Sequence, residues 1–159
     1  MIPNKLKDAK PLDLISVIKA YIMRNYDASS FDQKVETFLS EVQQNRNVVS
    51  TMATVKQNLD TLKTNKEILL QYLNQLNILK GKMTFGQENF CVKIEFQWKD
   101  VFKNKSWSSY SINFEFYNVM FNLTDALWNM DMVSMLNIVD EIYVSGLDLK
   151  QFVKEYNIF

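Results

Sequence analysis

The sequence contains no histidine, one cysteine, three glycines and two prolines in 159 residues. Without histidine, the chain cannot form Ser-His-Asp or Cys-His catalytic arrangements, nor the common zinc ligand sets. The single cysteine, Cys91, cannot build a disulfide framework, and we expect it to be a small buried hydrophobe. Few glycines and prolines leave few positions for turns. Long elements and a mainly helical fold are therefore predicted.

Two further absences limit the class of partner. Eighteen basic and eighteen acidic residues cancel, so net charge does not direct the chain to nucleic acid or an anionic membrane as its main partner. No stretch approaches the roughly 20 apolar residues of a transmembrane segment, and the first residues lack the apolar run of a signal peptide. A cytoplasmic chain is expected.

The composition that is present, 47% hydrophobic and 13% aromatic, is typical of an ordered protein. Residues 1–159 are expected to form a single domain. Its core is predicted around a small β element near residues 91–98, where apolar side chains alternate with mostly polar ones. The inward positions of this strand are Val92, Ile94, Phe96 and Trp98.

From Ile112 to Met130 the apolar residues recur every three or four positions and also fill a second face. This pattern predicts a helix that is apolar almost all round, so other elements must cover it. Glu115 and Asp125 interrupt its apolar surface. They could be buried and paired, because an unpaired buried charge is costly, and a partner Lys or Arg on another helix would make their role structural.

Three amphipathic helices are predicted before the strand. The first starts at Pro11 and stops near Asp27. The second follows a capping-box pattern formed by Ser30 and Gln33. The third ends at Gly81, which suits a C-terminal cap.

The boundaries of the remaining segments rest on weaker signals. A Ser/Thr cluster at residues 50–54 separates the second helix from the third, with one continuous helix as the alternative. Residues 99–109 are polar and basic and are predicted to form a connection. Two short helices are predicted within residues 135–156.

No arrangement of side chains predicts catalysis. Glu95 falls on the exposed phase of the strand, and its acidic neighbour Asp100 has no recognisable catalytic spacing to it, so a solvated face explains both. No glycine-rich phosphate loop occurs. We predict no catalytic, cofactor-binding or metal-binding residue and no cofactor, and the protein is not expected to be an enzyme.

A group of aromatic residues near the strand has the composition of a base-stacking platform. Its members are Phe96, Trp98, Trp107 and Tyr110. Nearby lysines are sparse, and the alternation places the first two residues inward, so a core is favoured and no nucleic-acid partner is predicted. We expect Trp98 and Phe121 to be buried and Trp107 to be exposed.

Several short stretches occur in a recognisable order. A basic, proline-containing segment at residues 7–13 is followed by Asn25-Tyr26, a Tyr-x-x-Gln-Leu stretch at 72–76, the strand with its continuation at 92–102, and related positions at 111–127. In this order the stretches resemble the BRO domain, the N-terminal module of Alix-like and Bro-one-like adaptors of the ESCRT system. The resemblance is strongest over residues 5–130.

The resemblance implies a helical, tetratricopeptide-like fold and a non-catalytic protein-interaction module in endosomal or multivesicular body sorting. It implies a protein partner, an ESCRT-III subunit helix where the rest of the domain is present, and it is compatible with peripheral association with endosomal membrane. The chain is less than half a typical BRO domain, so a truncated domain is expected. Because the family's partner surface belongs largely to the missing part, no partner-binding residue is assigned.

Two features depart from this resemblance. Thr124-Asp125 stand where the family usually has small residues, which implies a local shift in helix packing. Residues 136–159 resemble either a diverged BRO helix, which we prefer, or a helical repeat from the collar of clamp-loader subunits. The alternative functions are therefore a clamp-loader fragment in DNA replication and a helical scaffold fragment without independent activity.

Overall fold

The computed structural model describes residues 6–100 and 102–129. This part of the chain contains four α-helices and three β-strands. The helices are α1 (Leu14–Asn25), α2 (Gln33–Thr51), α3 (Leu59–Lys82) and α4 (Ile112–Trp128). The strands are β1 (Asp8–Ala9), β2 (Phe96–Asp100) and β3 (Lys105–Ser109). The predicted class, mainly helical with a small β element, is confirmed.

A side-chain oxygen caps the N terminus of each described α-helix. For α2 this cap is Asp32, whose Oδ1 accepts the Val35 N–H at 2.9 Å. The predicted capping box at Ser30 and Gln33 is therefore wrong. Ser30 instead lies in a single 3-10 turn, where its N–H donates to Asp27 O at 2.8 Å, so it is not placed at the helix start.

The predicted break between the second and third helices is confirmed, and the continuous-helix alternative is wrong. α2 ends at Thr51 and a 3-10 turn, Met52–Thr54, follows. The Thr54 hydroxyl donates to the Thr51 carbonyl at 2.7 Å and so satisfies a carbonyl at the helix end. The cap predicted at Gly81 is wrong, because α3 continues to Lys82 and the Met83 N–H donates to Leu79 O at 2.9 Å.

The three strands form an antiparallel sheet in the order β1-β2-β3. Ala9 pairs with Trp98, and Trp98 pairs on its other side with Trp107. The prediction of a connection over residues 99–109 is wrong for Lys105–Ser109. The side chains of β3 are exposed or half-exposed, so this strand shows no alternation between buried and exposed positions that the sequence could have indicated.

The predicted inward phase of the strand near residues 91–98 is confirmed, since Val92, Ile94, Phe96 and Trp98 are all buried. The sheet pairing begins later than predicted. Cys91, buried as expected, and the residues up to Glu95 precede β2, and Val92 forms an isolated bridge with Phe85 instead. The buried side of this extended segment faces the core that the helices cover.

The core lies between the sheet and the helices. α4 packs against α3 and β2, α3 packs against α2, and α2 packs against α1. Twelve of the 17 residues of α4 are buried, which agrees with the prediction that other elements must cover this helix. Phe121 is an exception: it is only half-buried, and the Lys7 Nζ lies 4.3 Å from its ring centroid. Its predicted full burial is wrong.

Two remaining predictions concern the ends of the chain and the membrane. Met130, the helices predicted within 135–156 and the 136–159 tail lie outside the described residues. Among the helices that the structure does describe, none combines the length and apolar character needed to cross a membrane.

Candidate functional site

Four side chains meet in a buried polar centre that joins four elements of the fold. Arg46 comes from α2, Tyr72 from α3, Trp98 from β2 and Glu115 from α4. None is more than 1% exposed. We call this group the buried polar centre. Such a cluster brings charges out of water, so its geometry decides whether it is structural or chemical.

Glu115 lies at the middle of the buried polar centre. Its Oε1 accepts the Tyr72 hydroxyl at 2.8 Å and lies 2.5 Å from Arg46 Nε. Its Oε2 accepts the Trp98 Nε1–H at 2.6 Å. Both carboxylate oxygens are therefore engaged, as a buried carboxylate requires.

Arg46 completes the buried polar centre from the other side. Its Nη2 donates to the Lys10 carbonyl at 3.1 Å, and its guanidinium carbon lies 5.6 Å from the Trp98 ring centroid. The Nε–H and Nη1–H groups make no hydrogen bond of good geometry within the described residues, so charge pairing with Glu115 and the ring contact hold the guanidinium in place.

The chemistry of this centre is structural. Burial, together with the negative charge of Glu115, raises the pKa of Tyr72 well above its ordinary value, so the phenol stays protonated and acts as a donor. The oxygens of Glu115 are occupied and shielded from water, which leaves no group available to a substrate. The expectation that Glu115 is paired with a basic residue of another helix holds.

Arg46 was not predicted as the partner of Glu115, although its position in the sequence carries a signal. Arg46 stands four residues after Val42 and three before Val49, at a position on the apolar stripe of the predicted second helix. A basic residue at such a position, together with a carboxylate on an otherwise apolar helix, indicates a buried ion pair. The pattern names both candidates but does not show that the two helices meet.

The second carboxylate of α4, Asp125, differs from Glu115. It is 7% exposed, and burial raises its pKa to about 6. No ion pair involving Asp125 occurs within residues 6–100 and 102–129. Whether Asp125 is paired therefore stays a prediction, because residues 130–159 lie outside the described part of the chain.

Side-chain amides fasten the N-terminal segment, residues 6–14, onto the helices. Asn122 of α4 accepts the Lys7 N–H at 2.7 Å and donates to the Lys7 carbonyl at 3.1 Å. Gln43 of α2 does the same with two residues, accepting the Leu14 N–H and donating to the Leu12 carbonyl, both at 2.7 Å. We call this arrangement the amide clamp. It sets the position of β1 at the edge of the sheet.

Two exposed apolar side chains belong to the β2–β3 hairpin. Phe102, at the tip, is 66% exposed and Trp107, in β3, is 51% exposed. The Lys105 Nζ lies 4.3 Å from the centroid of the Trp107 ring. The predicted exposure of Trp107 is confirmed. Because Phe96 and Trp98 are buried, the aromatic residues of this region do not form one stacking platform.

A groove of about 390 Å³ opens beside the hairpin, between the sheet and α4. Lys7, Trp107, Ser108, Phe114 and Asn118 are among its lining residues. The Lys7 Nζ donates to Asn118 Oδ1 at 3.0 Å, and burial lowers the pKa of Lys7. The groove therefore combines aromatic walls with polar groups, which is typical of a surface that binds another molecule.

The carboxylates considered for catalysis are engaged in local structure. Glu95 is exposed and accepts the Ser108 hydroxyl at 2.8 Å. Asp100 accepts the N–H groups of Phe102 and Lys103 at 2.8 and 3.2 Å and so stabilises the hairpin turn. Across the described residues, no group of three or more His, Cys, Asp or Glu side chains is arranged to hold a metal ion.

Comparison with known proteins gives a consistent match. The family model described as "BRO1-like domain" matches residues 1–130. The chain is 30% identical over 129 residues to the vacuolar protein-sorting protein bro1 of Emericella nidulans and 28% identical to that of Aspergillus fumigatus. The Neurospora crassa protein, vacuolar protein-sorting protein bro-1, is 26% identical. In each comparison the match covers 80% of this chain and 12% of the relative's length.

Proposed function

The chain belongs to the BRO1-like domain family, and from this membership we propose that it is a protein-interaction module in ESCRT-associated endosomal sorting. The observation that carries the proposal is the match over residues 1–130 to the family model and to proteins named for vacuolar protein sorting. We further propose that residues 1–159 form a single domain, located in the cytoplasm and at endosomes.

The geometry supports a role in binding rather than catalysis. The buried carboxylate of Glu115 is saturated with partners, and Glu95 and Asp100 stabilise the hairpin. The groove beside α4 and the exposed hairpin are among the surface features available to other molecules. These are suited to contacts with a macromolecule.

A chimera tests the sorting role directly. The 129 matched residues of the Emericella nidulans protein would be replaced by the corresponding part of this chain and expressed in a fungal strain that lacks its own copy. We expect the chimera to restore delivery of a vacuolar cargo. A chimera that accumulates as folded protein and still sorts no better than the deletion strain would contradict the proposal.

The matched control is the same chimera with Glu115→Ala, which removes the middle of the buried polar centre. This control should fail because the grafted part unfolds, and its loss of protein would be visible by immunoblot. The comparison separates failure of folding from failure of function.

A separate proposal concerns one possible partner, the C-terminal helix of an ESCRT-III subunit. From the family resemblance we expect the groove for an ESCRT-III tail helix to lie largely outside residues 1–159, and helix-in-groove binding needs a preformed apolar groove. We expect the 159-residue chain to bind such a helix weakly or not at all. A dissociation constant near micromolar in a titration at cytosolic salt would show that the described helices supply the groove.

Peripheral contact with endosomal membrane is supported by one observation, the 66% exposure of Phe102 at the hairpin tip next to Lys103. An apolar side chain beside a basic one is suited to the interface of an anionic bilayer. Co-sedimentation with phosphatidylserine-containing vesicles should be weak and should fall when Phe102 is replaced by Ser. Equal sedimentation of the wild-type chain and the Phe102→Ser variant would show that the hairpin tip does not contact the membrane.

A further inference from the structure

β3 forms one outer edge of the sheet. β2 pairs with its inner side, and no other described residue pairs with its outer side. An edge strand presents backbone N–H and C=O groups that can pair with another extended chain. β3 is five residues long and contains no proline, so its sequence does not block such pairing. The backbone of this edge is therefore suited to accept an added strand.

The side chains of β3 indicate which strand would fit. Trp107 and Lys105 lie on one face of the sheet, because the first is paired with Trp98 and the second with Asp100. On that face the groove of about 390 Å³ opens toward Phe114 of α4. An added strand would place alternate side chains opposite Trp107, which borders this groove, and opposite Lys105.

We propose that the outer edge of β3 binds an extended segment of a partner protein by strand addition. The segment carries an apolar side chain that packs on Trp107 and, two residues away on the same face, a carboxylate that pairs with Lys105. Strand addition of this kind draws affinity from the backbone ladder and specificity from alternate side chains.

Charge complementarity selects an acidic segment. Lys99, Lys103 and Lys105 all lie in the hairpin and are exposed. Two carboxylates adjoin the hairpin and both are already engaged, since Asp100 accepts two N–H groups of the turn and Glu95 accepts the Ser108 hydroxyl. The three lysines outnumber them. The surface beside β3 therefore attracts a negatively charged partner, and the attraction weakens with salt.

A bilayer fits this edge less well than a peptide. The outer N–H and C=O groups of β3 would lose their hydrogen bonds to water in the lipid interior without gaining others, which is costly. A peptide strand satisfies them. This inference does not depend on the sorting role, because it rests only on the sheet edge and the side chains beside it.

The test uses the 159-residue chain and a synthetic eight-residue peptide rich in threonine, with one leucine and one aspartate two residues apart. We expect measurable binding by fluorescence anisotropy. Trp107→Ala should weaken it about tenfold and Lys105→Glu about fivefold. A peptide with lysine in place of the aspartate should bind the wild-type chain poorly and regain affinity for the Lys105→Glu chain.

Two matched controls belong to this experiment. Lys34→Glu makes the same charge change at an exposed position of α2, and Phe102→Ser removes the apolar residue at the hairpin tip. Both should leave peptide binding unchanged. N-methylation of alternate peptide amides should abolish binding in one phase and preserve it in the other, because only every second amide faces β3 in a ladder.

Three outcomes would overturn the proposal. Equal binding of both N-methylated peptides would show that no backbone ladder forms. Hydrogen exchange that finds all five β3 amides protected in the free chain would show that another part of the chain already covers the edge. Loss of vesicle binding in Trp107→Ala, without any peptide binding by the wild type, would assign the surface to membrane.

Discussion

Trp98 and Trp107 are direct partners in the β2–β3 hairpin, and their side chains occupy the same face of the sheet. Trp98 is 1% exposed, donates to Glu115 at 2.6 Å and is flanked by β1 on its other side. Trp107 is 51% exposed and is contacted by the Lys105 cation. The difference arises from position in the sheet, because β2 is central and covered by α4 whereas β3 is an edge.

The β2–β3 hairpin therefore combines two kinds of strand. Its central strand is part of the core, and its edge strand is available to other molecules. If this division is correct, changes around Trp98 should destabilise the fold, and changes around Trp107 should alter binding with little effect on stability.

The largest effect on stability is expected from Glu115→Ala, which removes the carboxylate at the middle of the buried polar centre. The change leaves Arg46 buried without its counter-charge and removes the acceptor of both Tyr72 and Trp98. It should lower the free energy of unfolding by about 5 kcal/mol, at the upper end for a broken buried pair. Urea denaturation followed by circular dichroism measures it.

The matched control for Glu115→Ala is Glu95→Ala, on an exposed carboxylate that accepts one hydroxyl. It should change stability by about 0.5 kcal/mol or less. Similar losses in the two variants would mean that the buried polar centre does not hold the elements together.

The second-largest effect is expected from Trp98→Ala. It should lower the free energy of unfolding by about 3 to 5 kcal/mol, which is the usual cost of deleting a large core aromatic side chain. Trp98→Phe refines the result, because it keeps most of the ring volume and removes the Nε1–H donor. That variant should lower the free energy of unfolding by about 1 to 3 kcal/mol, because Glu115 Oε2 loses its hydrogen-bond donor. If Trp98→Phe were neutral, packing alone would account for the role of this residue.

The second carboxylate of α4, Asp125, is expected to make the stability of the fold depend on pH. Burial raises the pKa of Asp125 from 3.8 to about 6, so the folded chain binds this proton more tightly than the unfolded chain does. Its contribution to stability is therefore greatest at low pH and is lost as pH rises from about 4 to 6.

Asp125→Asn should consequently stabilise the chain at pH 7.5, by about 1 kcal/mol after allowance for the partial solvent contact of the carboxylate. The advantage over wild type should shrink toward pH 4. Urea midpoints of both proteins at pH 7.5, 5.5 and 4 measure this. A constant difference across the three pH values would show that the carboxylate is not destabilised by burial.

The smallest effect on stability is expected from Trp107→Ala, at about 1 kcal/mol or less, because half of this side chain is already in water. Denaturant unfolding in parallel with Trp98→Ala checks it. A loss as large as that of Trp98→Ala would mean that the edge strand belongs to the core, and the division of the hairpin would be wrong.

The parts of the fold that were predictable from the sequence are those with a strong period. Alternation placed Trp98 inward, and the three-to-four spacing from Ile112 identified α4. The existence of β3 was not predictable in this way, because a strand whose side chains are exposed on both faces shows no alternation between buried and exposed positions. The two-residue β1 is too short to show any period, and it is placed by Gln43 and Asn122, which lie far away in the sequence.

The other wrong or missed predictions involve contacts with polar side chains. Ser30 and Asp32 both suit an N-cap, and local geometry favoured the carboxylate of Asp32. Phe121 follows the apolar pattern of α4 yet faces the N-terminal segment, where Lys7 covers its ring instead of a helix. Arg46 could be paired with Glu115 only once the packing of α2 near α4 was known. These features depend on tertiary neighbours, which periodicity does not reveal.

The amide clamp has a consequence for the order of events during synthesis. Lys7 is held by Asn122, which lies 115 residues later in the chain. At about 5 to 20 residues per second, a ribosome needs roughly 6 to 23 s to synthesise the stretch between the two residues. For this period the opening segment has neither β2 nor α4 to dock on. The nascent chain must therefore keep its first residues accessible until α4 has left the ribosome, and a chaperone or tag that captures them earlier would delay completion of the sheet.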